Sequence, residues 1–386
     1  MKIFESDFFE EVVRMPMRGF GLAALGCALV VLAACGGSSS ANNNGGNSNP
    51  PSRTAYVALP SSDQVAVYRV DSTNHFTNIL GSPFTGGTAP STVFVHPNNK
   101  FIYTLNEGSS DISLFTPDDR TGVITEVLPR TPTGLSPVTM LMNKAGSMIF
   151  VLNQADHDIS VYSVDSSSGA LTQITGSPFP TALHPAAMIL SRSESLLYVA
   201  NVNLNSVSGF SVAAGGALTS IAGSPFPIAL TGSGPVALAT GASDRFLYVA
   251  NQVTSNVSIF TINSTTGALS ELLGSPFAVV GTTPNSVTLD STGSFLYVTN
   301  FGSANVSGFS VDANTGKLNA LNKSPYAAGT NPSSIVIDAA GTTMFVINQG
   351  SKNFSFFTVG TDGTLTSITG NSLTTPSAAS SLAFSH

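Results

Sequence analysis

The stretch Phe295-Leu296-Tyr297-Val298-Thr299-Asn300, FLYVTN, recurs in variant form seven times along the chain. Its central aromatic residues are 47 to 50 positions apart: Tyr56, Tyr103, Phe150, Tyr198, Tyr248, Tyr297 and Phe345. A fixed period of this length is typical of a solenoid, a propeller or another array of small units. Because a feature that recurs in every unit is expected to be architectural, functional residues are expected where a unit departs from the pattern.

Each period also contains three further strand-like phrases. A second apolar phrase such as Asn305–Val311 follows the first, and both are rich in β-branched and aromatic residues, as β-strands are. After a glycine-containing turn, a third strand is predicted to begin at a leucine and to end at Gly-Ser-Pro-Phe or its variant. These leucines are Leu171, Leu218, Leu269, Leu318 and Leu365. A fourth strand, such as Asn285–Leu289, leads into the next unit.

Four short strands in each period, with no helical periodicity, predict an all-β fold in which every period is one blade of a β-propeller. Seven periods predict seven four-stranded blades within residues 53–386. The first unit lacks the strand that precedes every other FLYVTN-like phrase, and the chain ends in Ser380–Phe384, which has the composition of that strand. We therefore expect this C-terminal strand to complete the first blade and to close the ring, which removes exposed sheet edges.

The first 34 residues are predicted to be a lipoprotein signal peptide. An apolar run over residues 20–34 follows Arg14 and Arg18, and it is too short to span a membrane. It ends in Leu32-Ala33-Ala34-Cys35-Gly36, which resembles the bacterial lipobox and implies cleavage before Cys35 and lipidation of that residue. The alternative is an ordinary signal peptide with an incidental cysteine. Because the first residues are acidic, Met15 and Met17 are alternative starts.

Residues 35–52 then form a polar tether rich in Gly, Ser and Asn that follows the lipidated cysteine. The expected location is extracytoplasmic, with the lipid anchor in a bacterial membrane. Since Gly36 and not Asp follows Cys35, the resemblance implies the periplasmic face of the outer membrane if the cell has two membranes. Cleavage would leave one cysteine, which excludes an internal disulfide and thiol catalysis in the mature chain.

Composition narrows the class of partner. Charged residues make up 9% of the chain and the formal net charge is −7, so no basic patch for nucleic acid is expected. The remaining predictions are a monomer, no cofactor, and a partner that is a protein or a carbohydrate-type ligand.

The FLYVTN phrase and its variants resemble those of the seven-bladed propeller proteins known as the lactonase or YVTN-repeat family, over residues 53–386. The resemblance implies the propeller fold and, for some members, hydrolysis of sugar lactones such as 6-phosphogluconolactone. Enzymatic members tend to carry Arg-His after the proline that opens the inner strand, which is the strand before the FLYVTN-like phrase. They also tend to carry Glu after the Asn that ends the FLYVTN-like strand. No inner strand here has Arg or His at those positions, whereas Asn106-Glu107 matches the second feature.

Candidate site residues follow from departures from the repeat. Glu107 is a candidate general base, and His157 and His184 are candidate catalytic partners. Asp156, His157 and His184 come from neighbouring units and are a candidate divalent metal site. The alternatives are an exposed loop carboxylate for Glu107 and solvated turn residues for the others. Because the Arg-His pair is absent, the sequence favours a binding or scaffold protein, and a lactonase that uses Glu107 with His157 or His184 is the alternative.

The repeated Asn at the end of the FLYVTN-like strand is expected to be structural. It occurs in six units, and its amide both accepts and donates hydrogen bonds, so we expect it to cap the backbone of the loop that follows.

The lipidation hypothesis is testable with the Cys35→Ser variant. We expect this variant to accumulate as uncleaved precursor and to incorporate no radiolabelled fatty acid, because the acylated thiol is missing. Persistent label in the variant would exclude Cys35 as the lipidated residue.

Overall fold

The computed structural model describes residues 53–229, 232–241, 243–369 and 373–385. The predicted signal peptide, Cys35 and the tether lie outside these residues. No helix among the described residues is long and apolar enough to cross a membrane.

The described chain forms seven antiparallel sheets, which confirms the predicted seven-bladed propeller. Blade 1 contains β1 (Arg53–Leu59), β2 (Gln64–Val70), β3 (Phe76–Asn78), β4 (Phe84–Thr85) and β33 (Ser381–Phe384). Blade 2 contains β5 (Pro90–Val95), β6 (Ile102–Asn106), β7 (Asp111–Pro117) and β8 (Ile124–Pro132). Blade 3 contains β9 (Pro137–Met142), β10 (Met148–Asn153), β11 (Asp158–Val164), β12 (Leu171–Gln173) and β13 (Phe179–Pro180).

The other four blades repeat this plan. Blade 4 contains β14 (Pro185–Leu190), β15 (Leu196–Asn201), β16 (Ser206–Val212), β17 (Leu218–Ser220) and β18 (Phe226–Pro227). Blade 5 contains β19 (Pro235–Thr240), β20 (Phe246–Asn251), β21 (Asn256–Ile262), β22 (Leu269–Glu271) and β23 (Phe277–Ala278). Blade 6 contains β24 (Pro284–Leu289), β25 (Phe295–Asn300), β26 (Asn305–Val311), β27 (Leu318–Ala320) and β28 (Tyr326–Ala327). Blade 7 contains β29 (Pro332–Ile337), β30 (Thr343–Asn348), β31 (Asn353–Val359) and β32 (Leu365–Ser367). A short 3-10 helix spans Pro60–Ser62.

The FLYVTN-like strand is the second strand of each blade and is buried on both faces. In blade 6, Leu296, Tyr297 and Val298 of β25 are inaccessible to solvent. Alternate side chains pack against the preceding and the following blade, so the apolar core is divided into clusters that join neighbouring blades. This two-sided burial explains why the phrase is a continuous apolar run rather than an alternating one.

The tyrosine of this phrase links its blade to the next one. The Tyr198 hydroxyl donates a 2.7 Å hydrogen bond to the Gly267 carbonyl in the following blade. The same bond joins Tyr103 to Gly169, Tyr248 to Gly316 and Tyr297 to Gly363. Burial raises the pKa of all four hydroxyls, so they keep the donated proton. Each accepting glycine has positive φ, which the turn requires.

The Gly-Ser-Pro-Phe phrase interrupts the outer strand instead of ending it. In blade 3 it lies between β12 and β13, which both pair with β11. The Ser177 hydroxyl accepts a 2.8 Å hydrogen bond from the Val161 backbone N–H, so a serine oxygen satisfies a donor that the interrupted strand leaves open. The corresponding serines of blades 1, 4, 5 and 6 do the same.

The C-terminal strand closes the ring as predicted. Strand β33 pairs with β1 in antiparallel register, with Val57 opposite Leu382. The core on this side combines residues of blade 7, blade 1 and β33, including Phe345, Phe354 and Leu382. The Arg53 guanidinium lies over the Phe384 ring, with 4.0 Å between its central carbon and the ring centroid.

The tyrosine-to-glycine bonds are expected to stabilise the ring measurably. Tyr198→Phe should lower the free energy of unfolding by about 1–3 kcal/mol, because it leaves the buried Gly267 carbonyl without a donor. Tyr326→Phe is the matched control, because its hydroxyl bonds the carbonyl of the exposed Asn322, where water can replace it. Urea unfolding measures the free energy of unfolding of both variants and of the wild type. Equal losses would contradict the assigned role of the inter-blade bond.

Candidate functional site

Two kinds of loop meet on one face of the ring. At this face, the first strand of each blade begins, the second strand ends and the third strand begins. In blade 2, for example, Pro90 pairs with Asn106, and Asn106 pairs with Asp111. We call it the Asn face, after the six asparagines that end the second strands. The other face carries the turns between the first and second and between the third and fourth strands.

The repeated asparagines join two strands of their own blade. The Asn251 Nδ2 donates to Asn256 Oδ1 at 2.8 Å and to Ser258 Oγ at 2.9 Å, both on the third strand. The Nδ2 atoms of the other five asparagines also donate to the third strand of their own blade. These residues are Asn106, Asn153, Asn201, Asn300 and Asn348. The expectation that the amide caps the loop backbone is therefore wrong for most blades. Among the described residues, only the Asn348 Oδ1 accepts from a loop N–H, that of Gly329.

The loop that precedes each inner strand covers these asparagines. Gly87, Gly134 and Gly281 come so close that a Cβ on any of them would lie less than 3 Å from the asparagine amide of the same blade. The asparagines are almost inaccessible to solvent. They therefore hold the face together and do not present their amides to a ligand.

In blades 3 and 5, the residue that follows the asparagine points toward the next blade. The Gln154 Nε2 donates to the Pro185 carbonyl at 3.1 Å, and the Gln252 Nε2 donates to the Asn285 Oδ1 at 3.3 Å. Both acceptors lie at the start of an inner strand, beside the axis of the ring. These positions thus surround the mouth of the central channel, and Glu107 occupies the equivalent position in blade 2.

Glu107 is the carboxylate among these positions. Its backbone N–H donates to the Ala89 carbonyl at 3.0 Å, which fixes the residue at the end of β6. The side chain is half-buried, and burial raises its pKa. No described residue gives its carboxylate a hydrogen bond or an ion pair. An unpaired carboxylate with a raised pKa is suited to accept a proton.

The inner strands carry no charge at this mouth. The two residues after each opening proline are uncharged, and all are buried. They are Ser91 and Thr92, Val138 and Thr139, Ala186 and Ala187, Val236 and Ala237, Asn285 and Ser286, and Ser333 and Ser334. Within the described part of the chain, the Thr92, Thr139 and Ser286 hydroxyls have no hydrogen-bond partner. These positions therefore carry buried hydroxyl, amide and methyl groups in place of the Arg-His pair.

The two candidate histidines meet between blades 3 and 4. Their ring centroids are 5.4 Å apart, and the His157 Nδ1 accepts a 3.3 Å hydrogen bond from the His184 backbone N–H. The Asp156 carboxylate accepts a 2.7 Å hydrogen bond from the Leu135 N–H. In the ranges that the structure describes, no three His, Cys, Asp or Glu residues are grouped so as to hold a metal ion. The metal site and the catalytic roles of His157 and His184 stay predictions, and no described contact joins either histidine to Glu107.

Several cations have other partners. The Arg192 guanidinium donates to the Ser291 carbonyl, and Arg245 donates to the Ala313 and Asn314 carbonyls, all on the face opposite the Asn face. Arg130 forms a 2.7 Å ion pair with Glu126. Lys352 lies in a loop of the Asn face, in blade 7.

Comparison with known proteins agrees with this architecture. A family model described as "Lactonase, 7-bladed beta-propeller" matches residues 47–182, 174–283 and 275–380. The chain belongs to this lactonase family. A comparison with curated proteins found no match.

Solved structures give the same fold. A Bacteroides fragilis protein provisionally named 6-phosphogluconolactonase is 21% identical, with a TM-score of 0.76, over 89% of this chain and 100% of that one. A periplasmic gluconolactonase of Pseudomonas aeruginosa is 20% identical, with a TM-score of 0.72, over 87% of this chain and 99% of that one. At these identities, the likeness shows the fold alone.

The glutamines at the mouth were not predicted from the sequence. Gln154 and Gln252 were not candidates, although aligning the seven units at their asparagine places both in register with Glu107. That alignment is the signal that could have found them.

Proposed function

We propose that this protein hydrolyses an unphosphorylated sugar lactone at the channel mouth of the Asn face, with Glu107 as the general base. The observation that carries the proposal is the unpaired, half-buried Glu107 carboxylate, whose pKa is raised by burial. It occupies a ring position where glutamines already reach the inner strands. Family membership supports the same class of reaction.

In this reaction, Glu107 takes a proton from water as the water oxygen attacks the lactone carbonyl. The tetrahedral intermediate carries negative charge on the former carbonyl oxygen, which needs a hydrogen-bond donor. Its collapse breaks the bond between the carbonyl carbon and the ring oxygen. The proton held by Glu107 passes to that oxygen, which becomes a hydroxyl group of the open sugar acid, and the Glu107 carboxylate is regenerated. Gln154 is the candidate donor, because it occupies the equivalent position in the next blade. One of its two Nε2 hydrogens bonds the Pro185 carbonyl, and the other is available. His157 and His184 take no step here, because no described contact joins them to Glu107.

The substrate is expected to lack a phosphate group. A phosphoryl group is normally held by Arg or Lys, often through two parallel hydrogen bonds. The inner strands offer no such cation, and Arg192 and Arg245 bond backbone carbonyls on the opposite face. Neutral hydroxyl and amide groups are suited to the hydroxyl groups of a sugar lactone.

A second candidate function is binding without turnover. The observation that favours it is the absence of Arg and His from the inner-strand positions. A lactone or another carbohydrate would then be bound at the same mouth, and the protein would act as a cell-envelope binding or scaffold protein.

We also propose that Cys35 is lipidated and that the ring is held outside the cytoplasm. The lipobox-like sequence supports this, and the Pseudomonas aeruginosa relative is itself named as periplasmic. Strand β1 begins at Arg53, at the end opposite the Asn face, since its other end, Leu59, pairs with Gln64 across a hairpin. A tether joined to Arg53 would therefore be attached to the side of the ring opposite the Asn face.

The lactonase proposal predicts that purified protein opens glucono-δ-lactone faster than buffer. Glu107→Gln should lower this rate by about 10²–10⁴-fold, because the base is lost. The variant should fold normally, since blades 3 and 5 carry glutamine at the same position. Asp119→Asn, in an exposed turn of the opposite face, is the matched control and should keep full activity.

The pH dependence of hydrolysis separates general-base catalysis from other effects. The base acts when ionised, so kcat/KM should fall as the pH drops through the raised pKa of Glu107, at a higher pH than for an exposed glutamate. A pH-stat assay with a no-enzyme control measures this. Binding of the lactone without turnover would favour the second candidate, and turnover of 6-phosphogluconolactone would contradict the unphosphorylated substrate.

A further inference from the structure

Blades 3 and 4 meet without the tyrosine bond that joins several other pairs of blades. The second-strand aromatic of blade 3 is Phe150, which has no hydroxyl group. The glycine at the accepting position of blade 4 is Gly216, which has positive φ like its counterparts. No described residue donates a hydrogen bond to its carbonyl. Tyr198 and Tyr248 donate to the equivalent glycine carbonyls at the next two blade contacts. The carbonyl of Gly216 is therefore an open acceptor.

The turn that carries Gly216 is also shorter than its neighbour. In blade 3, a backbone bond from Asp165 to Ala170 closes a six-residue turn, whose Asp165 Oδ1 accepts from two serine N–H groups. In blade 4, the corresponding bond joins Ala213 to Ala217 and closes five residues. Because the blade 4 turn is one residue shorter than that of blade 3 and its side chains are methyl groups or hydrogen, it covers less of the blade interface.

These two differences coincide with a cavity of about 280 Å³ on the face opposite the Asn face. Its lining includes Phe150, Leu190, Val212, Glu194 and Gly216. Phe150, Leu190 and Gly216 are buried and form the floor, whereas Ala214 is exposed and lies at the mouth. An engineered apolar cavity of about 150 Å³ holds benzene, so this volume admits one ring with substituents.

Asn143, Ser193 and Ser195 also line the cavity, and the Ser193 hydroxyl bonds those of Ser191 and Ser195. The two groups that face the cavity beside the short turn, the Gly216 carbonyl and the Glu194 carboxylate, are acceptors. The Gly216 carbonyl is open, and the Glu194 carboxylate uses Oε1 to accept a 2.6 Å hydrogen bond from the Lys144 backbone N–H. The Lys144 ammonium group donates to the Arg192 carbonyl nearby. An anionic ligand would face Glu194 and a cationic one would approach Lys144, so a neutral ligand that donates a hydrogen bond fits best.

We propose that this cavity, which we call the blade 3–4 cavity, binds a small neutral alcohol or phenol. The apolar body would lie on Phe150, Leu190 and Val212. The hydroxyl group would donate to the Gly216 carbonyl or to Glu194, which supplies the bond that tyrosine forms between other blades. The site lies on the opposite face from Glu107 and does not depend on the proposed lactonase activity.

Phenol is the probe, and methionine methyl NMR is the measurement. Met148 lines the cavity, whereas Met344 is buried in blade 7. Phenol should shift the Met148 methyl resonance saturably and leave that of Met344 unchanged. Ligand at ten times its Kd should also raise the folding equilibrium constant about 11-fold.

Two variants test the location of binding. Phe150→Tyr should supply the missing donor, and Ala214→Phe should cover the mouth from an exposed turn without disturbing the core. Each should weaken phenol binding by about tenfold or more, which corresponds to about 1.4 kcal/mol. Ala222→Phe, on an exposed outer turn of blade 4, is the matched control and should bind phenol like the wild type.

Two outcomes would overturn the proposal. One is an equal response of the Met148 and Met344 methyl groups, and the other is phenol binding by Ala214→Phe as tight as that of the wild type. If Phe150→Tyr fails to fold, the Ala214→Phe and Ala222→Phe pair still decides.

Discussion

The ring depends on the packing of each blade against the next, and a hydrogen bond from a buried tyrosine hydroxyl to a glycine carbonyl of the next blade forms at several of these contacts. A propeller is stable only if each blade packs on both neighbours, and the Tyr198–Gly267 bond occurs at such a contact. The glycine must have positive φ and no side chain, because a Cβ on Gly267 would collide with Leu196. Pairing of β33 with β1 then closes the circle and leaves no blade without a partner.

Packing between blades also distinguishes the residues that hold the ring together from those that are candidates for function. The asparagines and tyrosines that recur are buried and bonded within the protein, so they are not available to a ligand. The proposed sites occur where a recurring residue or bond is replaced or missing. Glu107 replaces a neutral residue at the channel mouth, and Phe150 together with a short turn leaves a cavity between blades 3 and 4. The two departures lie on opposite faces, so each can be altered without the other.

The fold could be predicted from the sequence because period, strand phrases and the missing first strand are all local patterns. Glu107 could be found in the same way, since it follows a repeated asparagine. The bonding of Asn251 to Asn256 and Ser258 could not, because it depends on which side chains oppose each other across a hairpin. The blade 3–4 cavity was also beyond sequence reasoning, since Phe150 and Gly216 are distant in the chain and meet only when two blades pack.

The most direct test of the central claim is a crystal structure with gluconolactam, in which N–H replaces the ring oxygen of the lactone and hydrolysis is blocked. The account predicts electron density for the lactam at the channel mouth of the Asn face. A water molecule or the lactam carbonyl should lie within hydrogen-bond distance of the Glu107 carboxylate. Density for the lactam only elsewhere on the ring, with the mouth occupied by solvent, would contradict it.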